Sequence, residues 1–286
     1  MLLEEVFFCM DTLHRLLSEF LETILSPLAS WSPLGALVLI SAVFGVVVAI
    51  VFRWTSNQQE MRRIADLCRA QVLAIKLFKD DPKSIFLAFG RLMKYSAQRM
   101  WCLFPSMIVI LIPSVLLLVH LAVWYEHRPL SPGETTVIEL QLADESWDAS
   151  QEFTPELPTQ LSLETPALRD FEEKSILWRI RVNEAGLSPI QWRVDSQVVK
   201  KSLAVSEETE VLSPVSVRRP GPGWWDRFLY PAEDAFSSNS SVRGIAIHHP
   251  IRSTPVFGWD IPWWLTVLLV SILAALLAGP VLKVQY

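Results

Sequence analysis

Three separate stretches of the chain are long and apolar enough to cross a bilayer, and each is bracketed by tryptophans. Leu34 to Phe52 lies between Trp31 and Trp54, Cys102 to Val123 between Trp101 and Trp124 with Tyr125, and Ile261 to Leu282 behind Trp259, Trp263 and Trp264. A helix rises about 1.5 Å per residue, so roughly 20 apolar residues span the hydrocarbon core. Indole rings favour the headgroup level, where ring and N–H are both satisfied, so the flanking tryptophans read as interface anchors. The expected transmembrane helices are 31–54, 100–125 and 259–282.

Charge orients them. From Arg53 to Arg99 there are ten Lys or Arg against four acids (Glu60, Asp66, Asp80, Asp81), whereas the arm before Trp31 has only Arg15 against five. Short loops rich in Lys and Arg stay in the cytoplasm. The segment 55–99 is therefore expected inside, the N-terminus outside, residues 126–258 outside, and the tail 283–286 inside. The outer segment is acidic, with 20 Asp and Glu against 13 Lys and Arg between Glu126 and Trp259. The net charge of −5 thus divides into a basic inner loop and an acidic outer domain, and gives no support for nucleic-acid binding.

The N-terminus lacks the basic region, compact apolar run and small-residue cleavage site of a signal peptide. Residues 1–30 read instead as an exoplasmic amphipathic helix. Leu3, Val6, Phe7, Met10, Leu13, Leu17, Phe20, Leu21 and Ile24 fall on one side, with Glu4, Glu5, Asp11, Arg15, Glu19 and Glu22 on the other. The three cysteines, Cys9, Cys68 and Cys102, all lie outside 126–258, so the outer domain is expected to hold together by its own apolar core, without disulfides.

The inner loop 55–99 reads as a helical hairpin continuous with the membrane helices. Met61, Ile64, Cys68, Val72, Ile75 and Phe78 recur at helical spacing, and Asp80-Asp81-Pro82 breaks the run. Ile85, Phe86, Phe89, Leu92 and Met93 form a second stripe, and the two are expected to bury one another as a short antiparallel coiled coil. The outer region has the pattern of a β-sandwich. Thr135 to Leu142 alternates, as do Ile176, Trp178, Ile180 and Val182; a turn at Glu184-Ala185-Gly186 leads to Ile190, Trp192 and Val194, and Asp195-Ser196 leads to a strand from Gln197 to Val205. Arg218 to Trp225 reads as a loop returning toward the membrane with its tryptophan pair near the interface, and Ile245 and Ile247 as a last strand. The expected fold class is an α+β membrane protein with three transmembrane helices, a cytoplasmic helical hairpin and an exoplasmic antiparallel β-sandwich domain.

The residues carry no catalytic, metal-ligating or cofactor-binding constellation. His248 and His249 are adjacent, so on a strand their rings point to opposite faces. His-Glu-x-x-His, Cys-x-x-Cys, phosphate-cradling glycine loops and Gly-x-Ser-x-Gly elbows are all missing from the sequence. The chain is expected to be non-enzymatic and without a cofactor. In the first span Ser41, Gly45 and Ala49 stand four apart, a small-residue stripe that admits another helix closely, within this chain or in a dimer. Pro105 and Pro113 are expected to kink the second span. His120, about one turn from Trp124, reads as snorkelling to the interface rather than as a proton relay.

An outward N-terminus, an amphipathic outer helix before the first span, a basic cytoplasmic hairpin and a kinked return helix together resemble, over residues 1–124, the layout of membrane insertases of the YidC/Oxa type and their shorter three-span relatives. Arg53-Trp54-Thr55-Ser56-Asn57-Gln58, Phe78-Lys79-Asp80-Asp81-Pro82 and Arg128-Pro129-Leu130-Ser131-Pro132-Gly133-Glu134 are also similar to uncharacterised three-span bacterial membrane proteins. The resemblance implies an inner-membrane protein that assists membrane-protein insertion or assembly, with the lipid bilayer and membrane-protein clients as its partners. Those insertases hold a cation inside a hydrophilic groove. In this chain Arg53, at the cytoplasmic edge, is the nearest counterpart. On this reading Ser41, Gly45, Ala49, Pro105 and Pro113 shape the helix interface, and Arg53, Arg62, Arg63 and Arg69 meet the cytoplasmic partner. The alternative is an anchored module whose outer β-sandwich binds an envelope protein or glycan. A third possibility is a subunit without independent activity. The residues set no oligomeric state.

Overall fold

The computed structural model describes residues 2–29, 32–78, 81–147, 153–194, 197–208, 211–256 and 258–282. The expected roles of Trp31, Lys79, Asp80, the Asp195-Ser196 turn and the tail 283–286 fall outside these residues, as do the side chains of Leu3, Val6, Phe7, Met10 and Leu13. Three helices are long and apolar enough to cross a membrane: α2 (Pro33–Thr55), α4 (Pro82–Tyr125) and α6 (Trp263–Leu282), taking α1 as Leu2–Ala29 and α3 as Gln58–Leu77. At 1.5 Å per residue, α2 and α6 are about 35 and about 30 Å long, and the 44-residue α4 about 66 Å, enough for a span and a soluble extension together.

The chain divides into two compact units, residues 1–36 with 117–263, and 37–116 with 264–286. The second is helical. Ser56 and Asn57 interrupt the run from α2 to α3: the Ser56 hydroxyl donates to the Phe52 carbonyl, and the Asn57 side chain caps α3 by accepting from the Glu60 N–H at 3.2 Å. The expected continuity therefore fails on that arm. It holds on the other, where the hairpin arm and the second apolar stretch form one helix, α4. Pro105 and Pro113 lie inside α4 with exposed rings, so the helix runs through both.

Ser41, Gly45 and Ala49 are buried. At Gly45 a Cβ would lie 2.2 Å from the Ser271 carbonyl oxygen and 2.9 Å from Ala274 Cβ, so α2 and α6 approach closely there and only glycine fits. The stripe thus serves packing between helices of this chain.

The other unit is built on antiparallel strands: β1 (Thr135–Leu142), β2 (Leu161–Leu163), β3 (Leu168–Asp170), β4 (Ser175–Val182), β5 (Gly186–Val194), β6 (Gln197–Val205), β7 (Arg218–Arg219), β8 (Val242–Ile247), β9 (Pro255–Val256) and β10 (Trp259–Asp260), with a short helix α5 (Trp224–Leu229) after β7. A six-stranded sheet runs β2-β4-β1-β8-β7, with β3 also on β4; β5 pairs β6, and β9 pairs β10. Period-two alternation sets the registers, because a slip by one residue would turn every apolar side chain to solvent. Ile138 stands between Trp178 and Ile247, and Leu140 between Ile176 and Ile245. The buried face of the six-stranded sheet and the buried face of the β5–β6 hairpin share one apolar cluster, in which Trp178 and Trp192 lie 6.3 Å apart, centroid to centroid.

Several expectations are corrected. Arg218-Arg219 is an edge strand and Trp224-Trp225 opens α5, so the expected loop shortens to residues 220–223 between them. The strand expected at Ile245 and Ile247 is present as β8, which lies inside the sheet between β1 and β7. Trp259 lies in a two-residue ladder, and the apolar helix starts at Trp263. Gly133 adopts φ +90° in the turn whose Glu134 N–H returns to the Ser131 carbonyl, and Arg128 clamps Glu134 with two hydrogen bonds of 3.1 and 2.7 Å.

Candidate functional site

The helical unit presents its hairpin openly. Burial on α3 is confined to Met61 and Ile64, and on the first arm of α4 to Ala88. Leu73, Leu77, Phe78, Phe86, Leu87, Phe89 and Met93 are exposed, Leu77 at 72% and Phe86 at 81%. Of the two predicted stripes, Val72, Phe78, Phe86, Phe89 and Met93 are exposed, whereas Met61 and Ile64 are buried and Cys68, Ile75, Ile85 and Leu92 partly so; the stripes are covered in part, and an apolar surface remains open. A helical apolar period specifies a face but not what occupies it. Neighbouring exposed apolar side chains of this kind mark a surface for a partner or for lipid.

The four arginines assigned to a partner are all exposed. Arg63 reaches Glu60 at 3.6 Å and Arg69 reaches Asp66 at 3.1 Å, exposed one-turn pairs worth a few tenths of a kcal/mol each, on the order of 0.3. Arg62 and Arg53 make no ion pair among the described residues, and the exposed Trp54 follows Arg53. The hairpin thus combines available cations with available apolar surface on two successive helices. Pro105 and Pro113, assigned to a helix interface, are both exposed on α4.

The strand-bearing unit holds a second constellation. His120, on the last turns of α4, is only 3% exposed and stacks on His14 of α1, with ring centroids 5.0 Å apart and Nε2 3.3 Å from His14 Nδ1. Phe228 of α5 packs edge-on to His14 at 5.7 Å. His120 is thus buried, and its polar edge is met by another imidazole. His14 escaped sequence reading because its partner is 106 residues away. The signal was its place on the buried face that continues through Leu21 and Leu25, at positions i, i+7 and i+11. Phe20, by contrast, is exposed.

Beside this pair lie two cavities, of about 500 Å³ and about 310 Å³, that share Ser18, Pro231, Ala232 and Glu233 in their walls. Arg15, Arg227 and Asp234 line the larger, and Glu22, His120 and Ser216 the smaller. Behind them is a buried ion pair. Lys201 occupies a core-facing position of β6, its side chain 0% exposed, and its ammonium donates to the Ser216 carbonyl, the Ser216 hydroxyl and Glu233 Oε1, each at 2.6 Å. Burial pushes the Lys201 pKa down, and the adjacent Glu233 opposes that shift. Three donors meet three acceptors, so the ammonium is fully satisfied.

His249 is buried while His248 is exposed, as adjacency on an extended segment requires. The His249 Nδ1–H donates to the Ile247 carbonyl at 3.1 Å, and burial holds its pKa down at about 4. Among the described residues no group of three or more His, Cys, Asp or Glu is placed to hold a metal ion. No protein-family model, curated protein or solved structure matches the chain.

Proposed function

We propose that this chain is a non-enzymatic integral inner-membrane protein that assists membrane-protein insertion or assembly, with a layout like that of YidC/Oxa-type insertases. In this reading α2, the apolar length of α4, and α6 span the bilayer. The basic α3–α4 hairpin is cytoplasmic, the N-terminus and the strand-bearing domain are exoplasmic, and the two strand layers over one core form a β-sandwich. The observation that carries the reading is the exposed apolar face of the hairpin, Leu73, Leu77, Phe78, Phe86, Phe89 and Met93, set among Arg62, Arg63 and Arg69. Such a surface suits an apolar client segment before it enters the membrane. The Met93 side chain adapts to segments of differing shape, which suits many clients rather than one. The arginines suit a partner of opposite charge.

The test is membrane integration of newly made single-span proteins in cells that carry Phe86→Glu with Phe89→Glu, or Arg62→Glu with Arg63→Glu and Arg69→Glu, in the full-length chain. All five side chains are exposed, so the fold tolerates the changes. Integration is expected to fall severalfold; normal integration with both sets would remove the hairpin from the function.

A second reading, the anchored binding module, is favoured by a separate apolar patch on the strand domain. Leu163, Leu168 and Phe171 are exposed beside the β2–β3 edge, with Trp147 packed edge-on to Phe171 at 5.8 Å. On that reading an envelope protein covers the patch, and Leu168→Glu abolishes its capture while leaving integration of new membrane proteins unchanged.

A further inference from the structure

The cavity of about 500 Å³ bounded by α1, α5 and the segment after α5 is lined by charges of both signs, Arg15, Arg227, Glu233 and Asp234, and among the described residues Arg15 and Asp234 form no ion pair with one another. Arg15 makes no hydrogen bond or ion pair among the described residues. The Asp234 backbone carbonyl accepts from Arg219 Nε at 3.1 Å, and its carboxylate makes no hydrogen bond or ion pair among the described residues. Glu233 accepts from Lys201 through Oε1, leaving Oε2 available. Arg15 and Asp234 are both exposed at the cavity, and a ligand carrying both charges can bridge them, each end making a charge-assisted hydrogen bond.

The surroundings say where such a ligand comes from. Trp224 and Trp225 of α5 are stacked at 4.2 Å and exposed, Leu229 is exposed at the other end of the same helix, and Leu16 and Phe20 are exposed on α1. Two elements that wall one cavity thus both carry unburied apolar and indole side chains. Paired indoles beside aliphatic groups are the composition of a surface that sits at headgroup depth. Arg15 adjoins Leu16 and can keep its charge in the headgroup layer while its stem lies on apolar surface.

We propose that this cavity is a binding site for the headgroup of a zwitterionic phospholipid with a primary amine, the phosphate on Arg15 and the ammonium on Asp234 and Glu233 Oε2. The assignment rests on the bilayer placement proposed above. It adds a lipid specificity that the insertion reading does not require. A trimethylammonium headgroup cannot donate to the carboxylates, and a glycerol headgroup has no cation, so the site discriminates by its acidic wall.

The experiment is native mass spectrometry of the full-length protein in detergent, offered phosphatidylethanolamine, phosphatidylcholine and phosphatidylglycerol of identical acyl chains, and separately free phosphoethanolamine. Phosphatidylethanolamine is expected to be retained roughly tenfold over the other two, the scale of one charge-assisted hydrogen bond. Arg15→Gln should lower retention of all three lipids, whereas Asp234→Asn should remove the preference and leave phosphatidylglycerol retention unchanged. Equal retention of the three headgroups, or no change with either variant, overturns the site. Binding of free phosphoethanolamine without retention of the lipid overturns the lipid as its source. Alkaline carbonate extraction of the same membranes separates the two claims. Protein released by carbonate contradicts the bilayer placement, and protein that stays membrane-bound without headgroup preference contradicts only the site.

Discussion

Lys201 and His249 show how single side chains carry opposite demands inside the strand domain. Replacing Glu233 with Gln leaves the fully buried Lys201 ammonium without its counter-charge, and removing one partner of a buried pair costs about 3–5 kcal/mol. Lys201→Met instead fills the same core position with an apolar chain and leaves Glu233, whose side chain is 18% exposed, within reach of water. Chemical denaturation of the full-length protein should therefore find Glu233→Gln the more damaging of the two. His249 predicts a pH dependence. Its folded pKa of about 4 lies below the ordinary 6.5, so as pH falls the unfolded chain takes up this proton first. The stability contributed by neutral His249 is fully present above pH 6.5 and is lost as pH falls through the window from 6.5 to about 4, a change of ~3 kcal/mol. His249→Asn keeps a donor toward Ile247 and should flatten that slope in thermal unfolding. These residues were unevenly legible in the sequence. Lys201 lies in period with Val199, Leu203 and Val205, so its burial was readable once β6 was recognised. Its acceptors Ser216 and Glu233 were not, because no local pattern announces a contact across 15 or 32 residues.

At the scale of elements, periodicity located the strands and the apolar helices, since each is specified by its own residues. Thr135 to Leu142 and Ser175 to Val182 alternate in burial as their sequences alternate. What occupies an apolar face is set elsewhere in the chain, which is why the hairpin stripes predicted each other's burial while Val72, Phe78, Phe86, Phe89 and Met93 remain exposed. The small-residue stripe was legible as a close approach, and its partner helix was not. Gly45→Ala places a methyl group against the Ser271 carbonyl and should destabilise the α2–α6 contact by about 1–3 kcal/mol, read as a lower melting temperature in detergent. Gly90 is the matched control: it lies within α4, and a methyl group added there would meet nothing within 4 Å. Gly90→Ala should therefore stabilise by about 0.5–1 kcal/mol through helix propensity.

For the whole molecule, the proposed function places three apolar helices, a basic hairpin with an exposed apolar face and an acidic strand domain in one orientation across a membrane. Cys68, partly exposed on α3, reports that orientation directly. With Cys9→Ser and Cys102→Ser in place, a membrane-impermeant maleimide should leave Cys68 unlabelled in intact cells and label the same chain carrying Ser237→Cys, exposed on the strand domain; the reverse pattern would invert the topology. The most direct test of a role in insertion is photocrosslinking in growing cells from a probe at Phe86 on the hairpin and another at Val137 on the strand domain, with identification of what each captures. Many unrelated newly made membrane proteins, with ribosomal components, are expected at Phe86. A single defined envelope protein at Val137, with nothing trapped at Phe86, would contradict that role.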